Sequence, residues 1–340
     1  MLNERDVDYM HRALALAERG WGQTAPNPMV GAVVVLDGEI VGEGAHEHYG
    51  GAHAEVNALR VAGERARGAT LYVTLEPCDH HGKTPPCTEA IIAAGVARVV
   101  MAVRDPNPEA AGGEARLRAD GIAIDVGACE YEARELNAPF FHALTATRPW
   151  LTLKLAVSVD GAIADANRSP GFITNPQSLE AVYRMRANSD AIAVGVDTAI
   201  VDWPTLTART TPPPRVAPLR VIFDRGGRLP ADRTPVQSSD AAPVLVLREP
   251  DLSSALGELH RRGVRALLVE GGAGIAAALL EADLVDRLVI FQAPVILGQG
   301  ALYAFGGVSP TDVAGATRLP VLRRQEFGDD LMTIYALHAV

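Results

Sequence analysis

The sequence has few cysteines, no long apolar run and no excess of basic residues, and each absence narrows its class. Only three cysteines occur in 340 residues, which excludes a disulfide scaffold and favours a reducing, cytoplasmic compartment. No apolar run approaches the roughly 20 residues that span a bilayer, and residues 1–6 are too charged for a signal peptide. With 41 acidic and 31 basic residues, the net charge of −10 disfavours nucleic acid as a partner and leaves a small-molecule substrate.

The length predicts two domains, because single hydrophobic cores stop growing at about 250–300 residues. Helical and strand patterns alternate through residues 1–145, which predicts a three-layer α/β/α domain. A short polar tract at 145–149, ending in Pro149, marks a boundary. A second α/β domain is predicted over residues 146–340. Its expected strands cover residues 151–156, 191–195, 221–224, 244–247, 266–270 and 288–292.

Three metal-type ligands and one carboxylate stand close together in the first domain. They are His53, Glu55, Cys78 and Cys87. One imidazole and two thiolates suit Zn²⁺ and leave its fourth position open to a water whose pKa falls to about 7. A glutamate beside that water can move its proton. The set matches the pattern of zinc deaminases that act on heteroaromatic rings, so we predict His53, Cys78 and Cys87 as ligands and Glu55 as the proton shuttle.

Each of these residues alone has a simpler interpretation. His53 and Glu55 could be a solvated pair opening a helix, and the cysteines could be buried apolar residues. Their combination, with both cysteines next to predicted helix starts, favours a zinc site. The third cysteine, Cys129, has no ligand-type residue near it in the predicted pattern and is expected to pack in the core.

The segment around the two cysteines departs from the P-C-x-x-C spacing of common nucleobase deaminases. It reads PCDHHGKTPPC over residues 77–87, and the chain also carries PNPMVG at 26–31 and DPNP at 105–108. In these three motifs the sequence resembles the bifunctional deaminase/reductase family of riboflavin biosynthesis. The resemblance covers nearly the whole chain, and it implies a cytidine-deaminase-like first domain that deaminates 2,5-diamino-6-ribosylamino-4(3H)-pyrimidinone 5′-phosphate.

The same resemblance implies a set of residues that hold the pyrimidine and its ribose phosphate. They are Asn27, His46, His80, Lys83, Asp105 and Asn107. An asparagine offers a donor and an acceptor to a heterocycle edge, and a lysine offers a point charge to phosphate. Asn27 and Asn107 can also form turns beside proline, and the two interpretations are compatible. After DPNP the chain reads EAAGGE where the family has V-A-G-x-G, so the conformation of this loop is open.

The second half lacks a G-x-G-x-x-G run after its first strand, which argues against a Rossmann site. Glycines follow the predicted strand 266–270 instead, and such a turn is either a phosphate site or an ordinary tight turn. The resemblance favours the first, implying a dihydrofolate-reductase-like domain that uses NADPH to reduce the ribosyl chain to ribityl. The cofactor-lining residues it implies are Val157, Phe172, Thr198, Asp202, Asp224, Gly272, Ala273, Gly274, Ile275, Ala276, Ala277 and Ala278. The substrate-lining residues it implies are Pro170, Arg186, Leu206, Arg209 and Glu270.

Three positions of the second half differ from the family pattern. Phe172 replaces a tryptophan, Pro170 replaces a serine, and Trp203 follows Asp202 where Asp or Asn is common. Loss of a serine hydroxyl removes about 1 kcal/mol of hydrogen bonding, so we expect at most a less efficient reductase. Arg186 and Arg209 are expected to clamp the 5′-phosphate, although surface charge is the simpler reading of both.

Two other functions remain open at this point. One is a nucleoside or tRNA deaminase with an accessory domain, which the long cysteine segment and the acidic charge disfavour. The other is a second half that only binds or dimerises. For the family-like enzyme we expect Zn²⁺ and NADPH as cofactors and a homo-oligomer formed through the reductase domain.

Overall fold

The secondary structure falls into two separate units in the computed structural model, which describes residues 2–169, 171–230 and 243–340. Met1–Thr145 and Val340 form the first unit, and Ala146–Ala339 form the second. In the described part of the chain, no helix combines the length and apolarity needed to cross a membrane.

The first unit is built on a five-stranded sheet with the order β2-β1-β3-β4-β5, all within the continuously described residues 2–145. Its strands are β1 (Gly31–Leu36), β2 (Glu39–Ala45), β3 (Thr70–Val73), β4 (Arg98–Met101) and β5 (Ala123–Val126). Its helices are α1 (Glu4–Ala17), α2 (Ala54–Ala62), α3 (Cys87–Ala94), α4 (Gly113–Ala119), α5 (Glu130–Leu136) and α6 (Ala138–Ala143). The strands β2 and β3 are antiparallel to β1, whereas β3, β4 and β5 are parallel.

Helices cover both faces of this sheet because its central strands are apolar on both sides. Val34 and Met101 face the layer that contains α2, α3 and α4. Val33 and Val100 face the layer that contains α1, α5 and α6. The three-layer α/β/α domain predicted from the sequence is therefore confirmed. Since β3 and β4 run in parallel, the polar segments that follow them leave the sheet at the same edge.

The second unit contains, among its described residues, an eight-stranded sheet with the order β10-β9-β8-β11-β6-β12-β15-β14 and a two-stranded sheet of β13 and β7. Its strands are β6 (Trp150–Val157), β7 (Ala162–Ala164), β8 (Ala191–Gly195), β9 (Leu219–Phe223), β10 (Val244–Leu247), β11 (Ala266–Glu270), β12 (Arg287–Gln292), β13 (Leu302–Tyr303), β14 (Val321–Phe327) and β15 (Asp330–Ala336). Its helices are α7 (Pro176–Ala187), α8 (Val196–Asp202), α9 (Leu252–Arg261) and α10 (Ala273–Glu281).

The six strands predicted for the second half are the six parallel strands of the large sheet. From β10 to β12 every neighbouring pair is parallel. These strands are mostly apolar, and all of their residues except Gln292 are at least half-buried. The strands that the sequence did not predict include β14 and β15, which extend the sheet in antiparallel fashion. Most side chains of β14 face solvent, so its sequence, VLRRQEF, carries no apolar run to signal a strand.

Candidate functional site

The three predicted metal ligands lie together at one edge of the first sheet. The Nδ1 atom of His53 lies 3.2 Å from the sulfur of Cys87 and 3.5 Å from that of Cys78. All three ligand atoms lie within 4.8 Å of one another. His53 is the N-cap of α2 and Cys87 is the first residue of α3. The expectation that both cysteines adjoin helix starts is wrong for Cys78, which lies in the irregular segment after β3, where Pro77 prevents regular structure.

The charges of this donor set fit a divalent zinc ion. A hydrogen bond from the Cys87 thiol lowers the pKa of Cys78 to about 4, and His53 adds to that effect. The same bond, together with burial, raises the pKa of Cys87. The hydrogen bond to Cys78 raises the pKa of His53. Bound Zn²⁺ deprotonates a coordinating thiol outright, so both sulfurs and the imidazole are available to it as an S₂N set with an open fourth position.

Glu55 follows the predicted ligand His53 by two residues, and its side chain forms a hydrogen bond with that of Cys87. It lies in the first turn of α2 and is only 3% exposed. Burial raises its pKa, which makes the side chain a better proton acceptor than a surface glutamate. Its placement two residues after His53, at the start of a helix, brings the carboxylate into the same cavity as the ligands.

A cavity of about 270 Å³ opens above the ligands. His53, Glu55 and Cys78 line it, whereas Cys87 lies behind them and is fully buried. The structure brings all six residues of the predicted pyrimidine and phosphate site into the wall of this cavity. They are Asn27, His46, His80, Lys83, Asp105 and Asn107. The remaining wall is largely apolar and glycine-rich, as in most small-molecule sites.

His46 and Asn27 form one polar wall. His46 is 3% exposed, and burial lowers its pKa, so the ring is neutral near pH 7. Its Nδ1 lies 3.2 Å from the carbonyl oxygen of Ala52, which can only accept, so Nδ1 carries the proton. The Nε2 atom is then an acceptor, 3.4 Å from Nδ2 of Asn27.

The opposite wall carries the cationic and exposed residues. Lys83 and His80 are exposed on the segment between the two cysteines. The Lys83 ammonium lies 4.1 Å from the centre of the Tyr49 ring, a cation–π contact that holds the flexible side chain over the cavity. Tyr49 was not predicted from the sequence, because an isolated tyrosine in a glycine-rich loop gives no distinctive signal.

The loop after β4 supplies the remaining predicted residues. The Asp105 carboxylate accepts from the backbone N–H of Asn107 at 2.9 Å, and the Asn107 side chain accepts from that of Glu109 at 3.1 Å. Asn107 therefore forms a turn and lines the cavity at once, so the two sequence interpretations hold together. Burial raises the pKa of Asp105. The structure also reveals Glu76, a buried residue of the cavity wall that the sequence reasoning missed.

Cys129 lies in different surroundings from those expected. Its sulfur lies within 4.8 Å of ligand atoms of His11 and Glu132, so ligand-type residues do stand near it. His11 and Glu132 are exposed, and burial raises the pKa of Cys129 to about 11, which keeps its thiol protonated at neutral pH. Cys129 also packs against the apolar layer formed by α1, α5 and α6, as predicted for a core cysteine.

The second unit brings most of the predicted reductase residues to the carboxyl ends of its parallel strands. Val157 ends β6, Thr198 lies in α8 directly after β8, and Glu270 ends β11. Gly272 follows as the N-cap of α10. A Cβ atom on Gly272 would lie 2.8 Å from the Thr198 hydroxyl, so only glycine lets the two segments approach this closely. The carboxyl edge of a parallel sheet is where α/β proteins bind ligands.

Arg186 and Glu270 form a bidentate ion pair in this region. The guanidinium Nη2 lies 2.8 Å from Oε2, and Nε binds Oε1. A third hydrogen bond, of 3.0 Å, joins Nη1 to the carbonyl oxygen of Thr207. The positive charge of Lys154 lies near Glu270 and helps to offset its negative charge. Burial lowers the pKa of Lys154. Arg209 stays exposed, so of the two predicted phosphate-binding arginines only Arg209 presents its guanidinium at the surface.

Several predicted reductase residues are not on an open surface. Asp224 is fully buried, and its carboxylate accepts from the backbone N–H groups of Arg228 and Leu229. Leu206 is 3% exposed and packs in an apolar cluster with Ile192. Phe172 and Asp202 are exposed. Of the segment that follows Gly272, Ala276 and Ala277 are buried in α10, and the others, Ala273, Gly274, Ile275 and Ala278, are accessible in part or more. Pro170 lies outside the described residues.

Comparison with known proteins gives one consistent result for the whole chain. Residues 3–103 match the cytidine and deoxycytidylate deaminase zinc-binding region, and residues 149–333 match the RibD C-terminal domain. The riboflavin biosynthesis protein RibD of Aquifex aeolicus is 41% identical over 356 residues, covering 98% of this chain and 99% of that protein. The RibD of Escherichia coli K12 is 42% identical over 329 residues, covering 87% of this chain and 90% of that protein.

Solved structures agree with these relatives. Acinetobacter baumannii RibD superposes with a TM-score of 0.83 at 37% identity, covering 98% of this chain and 99% of that one. A Thermotoga maritima protein described as a diaminohydroxyphosphoribosylaminopyrimidine deaminase/5-amino-6-(5-phosphoribosylamino)uracil reductase gives a TM-score of 0.83 at 36% identity, covering 98% of both chains. Both likenesses extend over nearly the full length, so the order of the two domains is shared as well.

Proposed function

The chain belongs to the RibD family of riboflavin biosynthesis proteins, and from that premise we propose which of its residues carry each of the family's two activities. It is a bifunctional zinc-dependent deaminase and NADPH-dependent reductase. The deaminase activity belongs to residues 1–145 and the reductase activity to residues 146–340. The close grouping of His53, Cys78 and Cys87 beneath a cavity that also contains Glu55 carries the first assignment.

In the deaminase, His53, Cys78 and Cys87 hold Zn²⁺ and Glu55 moves the proton. Zinc with three protein ligands supplies a hydroxide-like nucleophile from water at neutral pH. Glu55 accepts the proton that the water loses and passes it to the amino nitrogen, so the ring gains oxygen and ammonia leaves. The raised pKa of Glu55 suits both halves of this transfer.

The polar walls orient the diaminopyrimidine phosphate. Asn27 and His46 offer a donor and an acceptor to the edge of the heterocycle, since Nε2 of His46 accepts while the asparagine amide can do either. Asp105 and Asn107 contact the ring or ribose from the opposite loop. Lys83, with His80 beside it, holds the phosphate as a point charge at the cavity mouth.

In the reductase, the edge formed by β6, β8 and β11 binds NADPH and the ribosyl substrate. NADPH supplies the hydride, and the protein positions it. The turn at Gly272 and the start of α10 direct backbone N–H groups toward the cofactor phosphates. Glu270 and Arg186 fix the ribosyl chain, and Arg209 takes its 5′-phosphate. The residues that line the cofactor are Val157, Phe172, Thr198, Asp202 and Gly272 to Ala278. Asp224 supports this surface indirectly, because its carboxylate accepts a hydrogen bond from the backbone N–H of Arg228 and so holds the turn there.

The test of both assignments is metal content measured together with coupled turnover. We expect one zinc per chain, ammonia release from the diaminopyrimidine phosphate and then substrate-dependent oxidation of NADPH. Cys78→Ser should lose the metal and ammonia release, whereas Cys129→Ser, the matched control, should keep both. NADPH binding without substrate-dependent oxidation would make the second unit a binding module instead.

We also propose a cytoplasmic location and a homo-oligomer formed through the second unit. All three cysteines are unpaired in the fold, which supports a reducing compartment. Val159, Val295 and Ile296 expose apolar side chains, and Val159 and Val295 are joined by a backbone hydrogen bond, so they form one apolar surface patch. Light scattering of the wild type and of Ile296→Asp tests the oligomer, which should dissociate in the variant.

A further inference from the structure

Glu76 is a buried carboxylate that neither the metal nor the proposed proton transfer uses. It is 6% exposed and lies between the end of β3 and the ligand Cys78. A carboxylate in such a place needs several hydrogen-bond donors to offset its lost hydration. No arginine, lysine or histidine of the described chain forms an ion pair with it, so its donors must be of another kind.

Three backbone N–H groups supply them, one in the loop that follows β4 and two at the far end of that loop, where α4 begins. Asp105 donates to Oε2 at 3.1 Å, while Gly112 and Glu114 donate to Oε1 at 3.2 and 2.9 Å. The two ends of the loop between β4 and α4 are therefore tied to one side chain. That loop carries Asp105 and Asn107, which line the cavity.

At the far end of the loop, where α4 begins, the backbone lies so close to the Glu76 segment that it leaves no room for a side chain. A Cβ atom on Gly113 would lie 1.8 Å from the carbonyl oxygen of Pro77. The backbone of the loop and that of the residues around Glu76 are thus in direct contact, and a shift of one displaces the other. This is the loop whose sequence departs from the family pattern.

We propose that Glu76 is the positioning residue of the deaminase substrate site, which it shapes by fixing the loop 105–114 through three amides. The inference rests on the proposed function, because it assigns Asp105 and Asn107 to the substrate. An amide side chain can accept with only one oxygen, so Glu76→Gln must turn an N–H₂ group toward a backbone N–H of the loop. The loop then loses at least one of its three hydrogen bonds to this side chain.

The experiment compares Glu76→Gln with Glu109→Gln, an exposed glutamate on the same loop, in the full-length zinc-loaded protein. Loss of one hydrogen bond to a charged group weakens binding on the order of tenfold. We therefore expect Glu76→Gln to raise the KM for ammonia release on the order of tenfold and to leave kcat within about threefold. The control should change neither constant. Zinc content and NADPH-dependent reduction, measured on the same sample, should match the wild type.

A double-mutant cycle shows whether Glu76 acts through the loop. In an Asn107→Ala background, Glu76→Gln should raise KM by much less than in the wild type, because the same contact is already lost. Amide hydrogen exchange over residues 105–114 should be faster in Glu76→Gln and unchanged in Glu109→Gln.

Three results would overturn the inference. These are an unchanged KM, a fall in kcat with KM constant, and loss of zinc, which would make Glu76 a support of the metal instead. Failure of the proposed function looks different. In that case the wild type itself releases no ammonia, while faster exchange in Glu76→Gln still shows that the carboxylate ties the loop.

Discussion

Single residues in the first unit have roles that follow from their position in a helix or turn. His53 is an N-cap, so its ring projects from the helix start and leaves Nδ1 free to face the two sulfurs. Glu55 is the second residue of α2, and its side chain is buried at the first turn of that helix. The H-x-E spacing thus has a geometric reason, because it places the predicted ligand and the predicted proton carrier in the lining of one cavity.

The residue-scale prediction concerns Glu55. Glu55→Gln keeps the size and the hydrogen-bonding shape of the side chain but cannot carry a proton. We expect ammonia release to fall by at least about 10²-fold, which is the lower range for loss of a general acid–base group. Zinc measured by elemental analysis should stay at the wild-type level. Turnover close to wild type in the zinc-loaded variant would show that another group moves the proton.

Sequence reasoning succeeded where a residue type carries the chemistry by itself. His53, Cys78 and Cys87 are recognisable because few side chains bind zinc, and the structure brings them together. Glu76 could not be recognised, because its partners are backbone N–H groups that no residue letter reports. The nearest signal is an acidic residue three positions after a buried strand.

At the scale of elements, a partly buried ion-pair network joins α1 to the sheet. Asp6 of α1 accepts from the hydroxyl of Tyr72 on β3 at 2.8 Å and from two guanidinium nitrogens of Arg98 on β4 at 2.8 and 3.1 Å. Arg98 also binds Asp125 of β5. One carboxylate thus links a helix to two strands, on the face of the sheet opposite to α2.

The element-scale prediction is a pH-dependent stability. Burial alone would raise the pKa of Asp6, but the hydrogen bonds from Arg98 and Tyr72 outweigh it and lower the pKa to about 2. The folded pKa lies below the unfolded value of 3.8, so this stabilisation is complete above about pH 4 and is lost as the pH falls toward 2. The shift corresponds to about 2 kcal/mol at pH 7.

Asp6→Asn should therefore destabilise the first unit by about 2 kcal/mol at pH 7, as measured by denaturant unfolding. The difference from the wild type should shrink as the pH falls from 4 toward 2. Asp8→Asn, an exposed neighbour on the same helix, is the control and should change little. A pH-independent difference for Asp6→Asn would mean that packing, and not charge, is what the substitution removes.

Helices and strands could be predicted from the sequence where their burial requires a run of apolar residues. The six parallel strands of the second unit are apolar runs, and all six were recognised. The hairpin of β14 and β15 was not, since alternation of solvent-facing charges in β14 resembles a loop. In the second unit the site is harder to identify, because two of the residues predicted for it, Asp224 and Leu206, are buried.

At the scale of the whole molecule, each unit has its own sheet and its own core. The cavity proposed for the deaminase is formed entirely by residues of the first unit. The edge proposed for the reductase is formed by strands and helices of the second. The two activities should therefore be separable by single substitutions.

Ala273→Asp tests this separation. Ala273 is the first residue of α10 and already carries a Cβ atom, and an aspartate in the first turn of a helix is favourable, so α10 should still form, but its charge opposes a cofactor phosphate at the helix start. We expect the KM for NADPH to rise by more than about tenfold with 5-amino-6-(5-phosphoribosylamino)uracil as substrate, while ammonia release stays unchanged. Ala282→Asp places the same charge at the other end of α10 and should leave the KM for NADPH near the wild-type value. Equal effects of both variants would contradict a phosphate site at the start of α10.

The three predicted metal donors come from three segments of the chain: the N-cap of α2, an irregular segment and the first residue of α3. An ion that binds only when these segments meet adds its binding free energy to folding. Growth in a zinc-poor medium would then lower both the rate of deamination and the stability of the fold around these three segments. A shortage of the ion would therefore also appear as a lower amount of protein.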